Sequence, residues 1–261
     1  MLYLPMLSVA IFSVNDAERG FVWKGFTLKW YAKVFENERI LAATWNTLLL
    51  AVVSTLIATL LGTMLALGLD RFPWRSGFRS GLELVMHLPV VTPDIILAAA
   101  MVVALFFLRQ VSPIFEPNWW TFYFGEQRLV LPVNMILGHV TFQVPFVALV
   151  VRSRLATIGT TVDEAARDLY ANSAYVMRRV TLPLLLPGVV SGAMLALTLS
   201  LDDFVISFFT SSPDTVTLPI YIYGELRKGI TAVTHALSTL IFLFTMLLVI
   251  ALQSLGRFIK E

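Results

Sequence analysis

Five stretches of this chain, residues 41–69, 82–108, 130–151, 185–209 and 232–256, each run for 22 residues or more with almost no charge. Each exceeds the roughly 20 residues that a helix needs to cross a hydrocarbon core of about 30 Å. Of the 36 charged residues, 19 Lys and Arg plus 17 Asp and Glu, only Glu83, Asp94, Asp202 and Asp203 fall inside these blocks. A backbone in lipid has no water to bond, so blocks of this kind specify helices that satisfy their own amides. The pattern predicts an all-α membrane protein. Charged residues make up 14% of the chain, against about 25% in soluble domains.

A sixth apolar block, MLYLPMLSVAIFSV at 1–14, is shorter. It lacks the basic flank and small-residue cleavage site of a signal peptide, and reads as part of a spanning helix whose start lies upstream of residue 1. Six spans in a single domain, 1–261, follow. Lys and Arg bias orients them weakly: ten basic residues lie in 70–81, 152–184 and the C-terminal end, against nine in the remaining connections. Those three segments are expected on the cytoplasmic side.

Several chemistries are excluded. A net charge of +2 makes no phosphate-binding field, so nucleic acid is not an expected partner. With no cysteine and three scattered histidines, His87, His139 and His235, a metal site is not expected. Each histidine reads as a helix-packing or interfacial residue. There is no G-x-x-x-x-G-K-[ST] and no G-x-S-x-G, so neither a P-loop nucleotide site nor an intramembrane hydrolase is expected. A chain of this kind that pumps must draw energy from a partner or an ion gradient.

The 33-residue polar segment at 152–184 is the informative connection. Thr161 followed by Glu164 reads as a capping box that starts a short helix. Val162, Ala165, Ala166 and Leu169 then form an apolar stripe opposite Asp163, Arg167 and Asp168. Asn172 or Ser173 caps a second helix, which Pro183 and Pro187 are expected to end before the fifth span. Two short helices joined by a turn outside the bilayer make a projecting surface suited to docking.

Glu164-Ala165-Ala166 followed by Val180-Thr181-Leu182-Pro183 resembles the EAA loop of ABC importer permeases, E-A-A-x3-G-x9-I-x-L-P, with Tyr170 in place of the Gly. The resemblance extends over nearly the whole chain and is nearest to permeases of spermidine/putrescine importers. It is carried by GFTLKWY at 25–31, NTLLLAV at 46–52, TPDIIL at 92–97, DEAARDL at 163–169, LDDFVISFF at 201–209 and LPIYIY at 218–223. Residues 109–131, with Pro113, Pro117, Trp119 and Trp120, look like an extension of the family's shorter loop.

The resemblance implies the transmembrane domain of a type I ABC importer, six transmembrane helices with a cytoplasmic coupling-helix loop, multi-pass in the cell inner membrane. It also implies Glu164, Ala165, Ala166, Leu182 and Pro183 as ATPase-coupling residues. The implied partners are a second related permease subunit in a heterodimer, two copies of a P-loop ATPase that bind ATP and Mg, and a periplasmic or extracellular solute-binding protein. No cofactor is expected in this chain.

The residues supply a separate substrate argument. Asp202 and Asp203 lie 14 and 15 residues after Gly188, which is about 21 to 23 Å along a helix. Carboxylates within a span are costly unless they face a wet cavity or meet cations. With Phe204 and Phe208 they suit an ammonium-bearing solute, through ion pairing and cation–π contact. At adjacent positions only one of the two is expected to face the pathway, and the other to bond a helix end or a partner. Asp94, where Pro89 and Pro93 interrupt the third span, either caps the restarted helix or lines the pathway. Trp30 and Tyr31 are candidates for an outer gate, or for an interfacial aromatic belt. Gly188 and Gly192 form a G-x-x-x-G expected to pack closely at the subunit interface. A permease for another cationic solute or a metal, and a secondary transporter that uses no ATPase, remain the alternatives.

Overall fold

The computed structural model describes residues 4–19, 22–112, 121–124, 127–130, 133–168 and 172–258. Pro113, Pro117, Trp119, Trp120, Leu169 and Tyr170 lie outside the described residues. Helices account for nearly all of the rest, and they fall into two compact units: residues 1–48 with 213–261, and residues 49–212.

In the first unit, α1 (Leu4–Ser13) packs against α12 (Ala232–Phe258), and α12 also packs on α2 (Lys29–Glu36) and α11 (Leu218–Lys228). Trp30, Val34, Ile40, Ala43, Leu218, Ala232, Ala236 and Leu237 form its core. Asn15 ties its own stretch of chain to residues 22–24: its side chain donates to the Val22 carbonyl at 2.9 Å and accepts from the Lys24 amide at 2.8 Å.

The second unit takes the remainder of α3 (Glu38–Arg71), then α4 (Ser76–Val91), α5 (Asp94–Val111), the antiparallel hairpin β1 (Thr121–Phe124) and β2 (Gln127–Val130), and α6 (Val133–Ile158). It continues with α7 (Thr161–Asp168), α8 (Ser173–Val176), a π-helical turn at Met177–Thr181, α9 (Leu182–Leu201) and α10 (Val205–Thr210). Helix α6 is central, with 56% of its most apolar window buried against 11% for α5. It packs on α9, α4, α10 and α5, around a core of Ala66, Leu69, Met86, Val147, Val151, Leu155, Leu185 and Ala196.

Four described helices are long and apolar enough to cross a membrane: Glu38–Arg71, Asp94–Val111, Val133–Ile158 and Ser173–Leu201. They fall on the second to fifth apolar blocks; the shorter helices Leu4–Ser13 and Ala232–Leu247 fall on the first and sixth.

Four local expectations are corrected. The break in the third block falls at Thr92-Pro93, whereas Pro89 is carried inside α4. Thr92, forced extended by the proline that follows, has ψ 132°. Pro183 and Pro187 do not end the second helix of the 152–184 segment. The π-helical turn just before Pro183 closes with the Leu182 amide on the Met177 carbonyl, and this wider turn lets the chain run on as one helix from Ser173 to Leu201. The Glu164 amide donates to the Thr160 carbonyl at 2.9 Å, so α7 is capped one residue earlier than the capping box at Thr161 requires. Finally, Gly188 and Gly192 face α6 of the same chain: a β-carbon on Gly188 would sit 2.6 Å from Arg154 Cβ, and one on Gly192 3.2 Å from Val147 Cγ1.

Candidate functional site

The fifth apolar block breaks where its two carboxylates stand. Helix α9 ends at Leu201, and α10 begins at Val205. Asp203 holds the restart: its Oδ1 accepts from the Ile206 amide at 3.2 Å and its Oδ2 from the Ser207 amide at 2.7 Å. A carboxylate at the amino end of a helix satisfies free amides and meets the favourable end of the helix dipole. Asp202 is the closing residue of α9 and is exposed. Among the described residues it makes no ion pair. The adjacent pair is thus split, one carboxylate bonded into the fold and one turned out.

Asp203 is also the end of a buried polar chain that sequence inspection missed. His139, only 2% exposed, brings Nε2 to 3.3 Å from Asp203 Oδ2 and 3.0 Å from Ser207 Oγ, while its Nδ1 lies 2.8 Å from Ser200 Oγ. Ser200 Oγ meets Ser54 Oγ at 3.2 Å, and Gln143 Nε2 donates to Ser54 Oγ at 3.3 Å and to the Ala196 carbonyl at 3.1 Å. One consistent assignment of protons runs along the series: Gln143 donates to Ser54, Ser54 to Ser200, Ser200 to Nδ1 of a ring protonated on Nε2, and Nε2–H to Ser207 Oγ, with Asp203 Oδ2 beside it. Helices α3, α6, α9 and α10 are joined by one directed run of hydrogen bonds. The sequence signal was faint: His139 and Gln143 share a helix face, as do Ser200 and Ser207 across the break. Reading His139 as a packing residue was correct about its burial and silent about this role.

The other pathway candidates are near the surface. Asp94 is the first residue of α5 and exposed, with its charge in the first turn, and no side-chain cap is formed there. Helix α10 packs on α5. Phe204 precedes α10, and its ring lies 5.3 Å from that of Phe208, which is half exposed. Trp30 is buried, its indole N–H on the Asn15 carbonyl at 2.7 Å, with Lys29 Nζ and Lys33 Nζ 4.6 and 4.8 Å from the ring centroid. The Tyr31 hydroxyl meets Ser13 Oγ at 2.7 Å. The same unit carries an open cleft of about 900 Å³ with Glu36, Glu38, Asp214 and Glu225 on its walls. Arg39 and Lys228 line it too, so its charge is mixed. Among the described residues, no three His, Asp or Glu side chains converge as metal ligands do.

In the 152–184 segment α7 buries a carboxylate and exposes most of its apolar stripe. Glu164 and Ala165 are exposed, Ala166 half-buried, and Val162 40% exposed, while Asp163 is buried. The α7 residues of the predicted apolar stripe therefore point largely outward. Asn172 does cap the next helix, accepting from the Tyr175 amide at 2.8 Å. Leu182 and Pro183 are exposed at the start of α9.

Residues 58–260 match the family of binding-protein-dependent transport system inner membrane components. The chain belongs to this family. It is a membrane permease component of a transport system, located in the inner membrane, and not an enzyme. It is 34% identical over 257 residues to the spermidine/putrescine transport system permease protein PotC of Escherichia coli K12, covering 98% of this chain and 89% of that one. It is 35% identical over 240 residues to the putrescine transport system permease protein PotI of the same organism, covering 92% and 81%. The fold is that of a solved bacterial ABC transporter involved in the import of the acidic polysaccharide alginate: TM-score 0.77 at 18% identity, over 100% of this permease and 91% of that chain. The fold class expected of a type I importer transmembrane domain is therefore found.

Proposed function

We propose that this permease forms half of the translocation pathway for polyamines in an ATP-driven importer, with residues 1–261 acting as one transmembrane domain. Similarity to PotC and PotI supports the substrate class. The observation that carries it on this chain's own residues is Asp202, an exposed carboxylate at a helix break beside Phe204. An anionic group in an apolar bundle selects for a cation, and aromatic faces add attraction for ammonium groups. Asp203, already occupied by two backbone amides and His139, serves the fold. Asp94 in the first turn of α5 adds a second carboxylate to the pathway. An outer gate at Trp30 and Tyr31 would move as part of its packed unit, since both side chains are bonded within it.

Energy enters at the 152–184 segment. The exposed α7 face with Glu164, Ala165 and Ala166, together with Leu182 and Pro183, seats against a cytoplasmic P-loop ATPase that binds ATP and Mg. A second, related permease completes the pathway, two ATPase copies drive it, and a solute-binding protein delivers substrate. Competition in proteoliposomes holding the whole complex tests the substrate: unlabelled spermidine and putrescine should each suppress uptake of labelled spermidine. Competition by another cation or a metal, with neither amine effective, would reject the polyamine reading.

A further inference from the structure

The residue before Glu164 carries a role that its sequence context conceals. Asp163 sits between the exposed Val162 and Glu164, yet it is 9% exposed. Its Oδ1 accepts from Thr181 Oγ1 at 2.9 Å and its Oδ2 lies 3.2 Å from Arg71 Nη1. Arg71 Nη2 in turn donates to the Gly159 carbonyl at 2.7 Å. Arg71 is the last residue of α3, and Thr181, 1% exposed, is the last of the π-helical turn that opens α9. Gly159 leaves α6 in the left-handed conformation, φ +69°, which a side chain would resist. One carboxylate therefore ties α7 to the ends of three long helices.

We propose that Asp163 is the positioning residue that passes displacement of α7 to α3 and α9. This rests on the reading that the outer face of α7 seats on the ATPase. The helix then has two working faces a residue apart: Glu164 and Ala165 toward the partner, Asp163 toward the bundle. A loose contact would let α7 slide without moving the span behind it. Exposed ion pairs are loose in this sense and worth little. Here the carboxylate is shielded and holds two donors from different elements, so any movement of α7 pulls on both. The π-helical turn is an adjustable joint at the point where the pull arrives.

The test uses the complete transporter in proteoliposomes and reads ATP hydrolysed per solute taken up. Asp163→Asn keeps the shape and the acceptor for Thr181 but removes the ion pair with Arg71. The expected result is retained ATPase binding and hydrolysis with uptake down about tenfold, a size usual for a coupling between two sites. Arg71→Gln should do the same, and the double variant should be no worse than either alone, because the two act as a unit. Uptake and hydrolysis falling together in proportion, or an unchanged ratio, would overturn the proposal. Glu164→Lys separates it from the reading beneath it. If Glu164→Lys releases the ATPase while Asp163→Asn behaves as wild type, only the positioning role fails. If Glu164→Lys also leaves binding and uptake intact, the docking face itself is misassigned and the proposal falls with it.

Discussion

Replacing His139 by Leu should unlock α10 from the rest of its unit. The imidazole is 2% exposed, bonds Ser200 and Ser207 on the two sides of the α9–α10 break, and lies 3.3 Å from Asp203. Leucine fills part of the volume and bonds none of them. Ser200 retains Ser54, and Asp203 retains the amides of Ile206 and Ser207, so the loss is partial. The two lost hydrogen bonds cost about 0.5–1.5 kcal/mol each, and a buried hydroxyl left short of a partner adds about 1 kcal/mol or more. We expect about 3 kcal/mol in all, or a fall in Tm of about 6–12 °C for a chain of this size. Thermal unfolding of purified permease in detergent measures it. His139→Gln, which keeps a donor and an acceptor, should recover part of the loss. The double variant His139→Leu with Asp203→Asn should lose less than the sum of the two, because both changes break one contact. Strict additivity, or a Tm within 1 °C of wild type for His139→Leu, would refute the directed chain.

Asp202 and Asp203 should separate cleanly: Asp202→Asn should raise the half-saturating polyamine concentration about tenfold at unchanged Tm, one lost ion pair of about 1.4 kcal/mol. Asp203→Asn should chiefly lower Tm; uptake kinetics and unfolding on the same preparations check both. Gly188→Val should reduce folded yield, since even a β-carbon there would sit 2.6 Å from Arg154 Cβ, and overpacking costs about 1–3 kcal/mol. Gly224→Ala, where a β-carbon meets nothing within 4 Å, is the control in a size-exclusion assay of expressed protein.

The apolar blocks were legible because lipid leaves the backbone one solution, and a run without charge announces it. The break before Asp94 was legible too, since Thr92-Pro93 forces an extended residue. The break at Asp202 was not, because no proline or glycine marks it; it is stabilised by Asp203 folding back on two amides and by His139, 64 positions away. The π-helical turn likewise left no mark, and Pro183 read as a terminator because an ordinary helix has no room for it. In α7 periodicity found the stripe but could not say which side the helix buries. Apolar faces turn inward in an isolated chain, whereas this one turns out and Asp163 is held inside by Arg71 and Thr181. The gate candidates show the same limit: Trp30 announces an aromatic at a membrane boundary, and only packing reveals its bond to the Asn15 carbonyl. Long-range hydrogen bonds between polar residues of separate helices have no period, so one sequence cannot display them.

The most direct measurement is the initial rate of labelled spermidine uptake into proteoliposomes, with and without ATP inside, for the full complex and for this permease without its ATPase. Uptake is expected only when ATP, the ATPase and the solute-binding protein are all present. Equal uptake by the permease without the ATPase would contradict it.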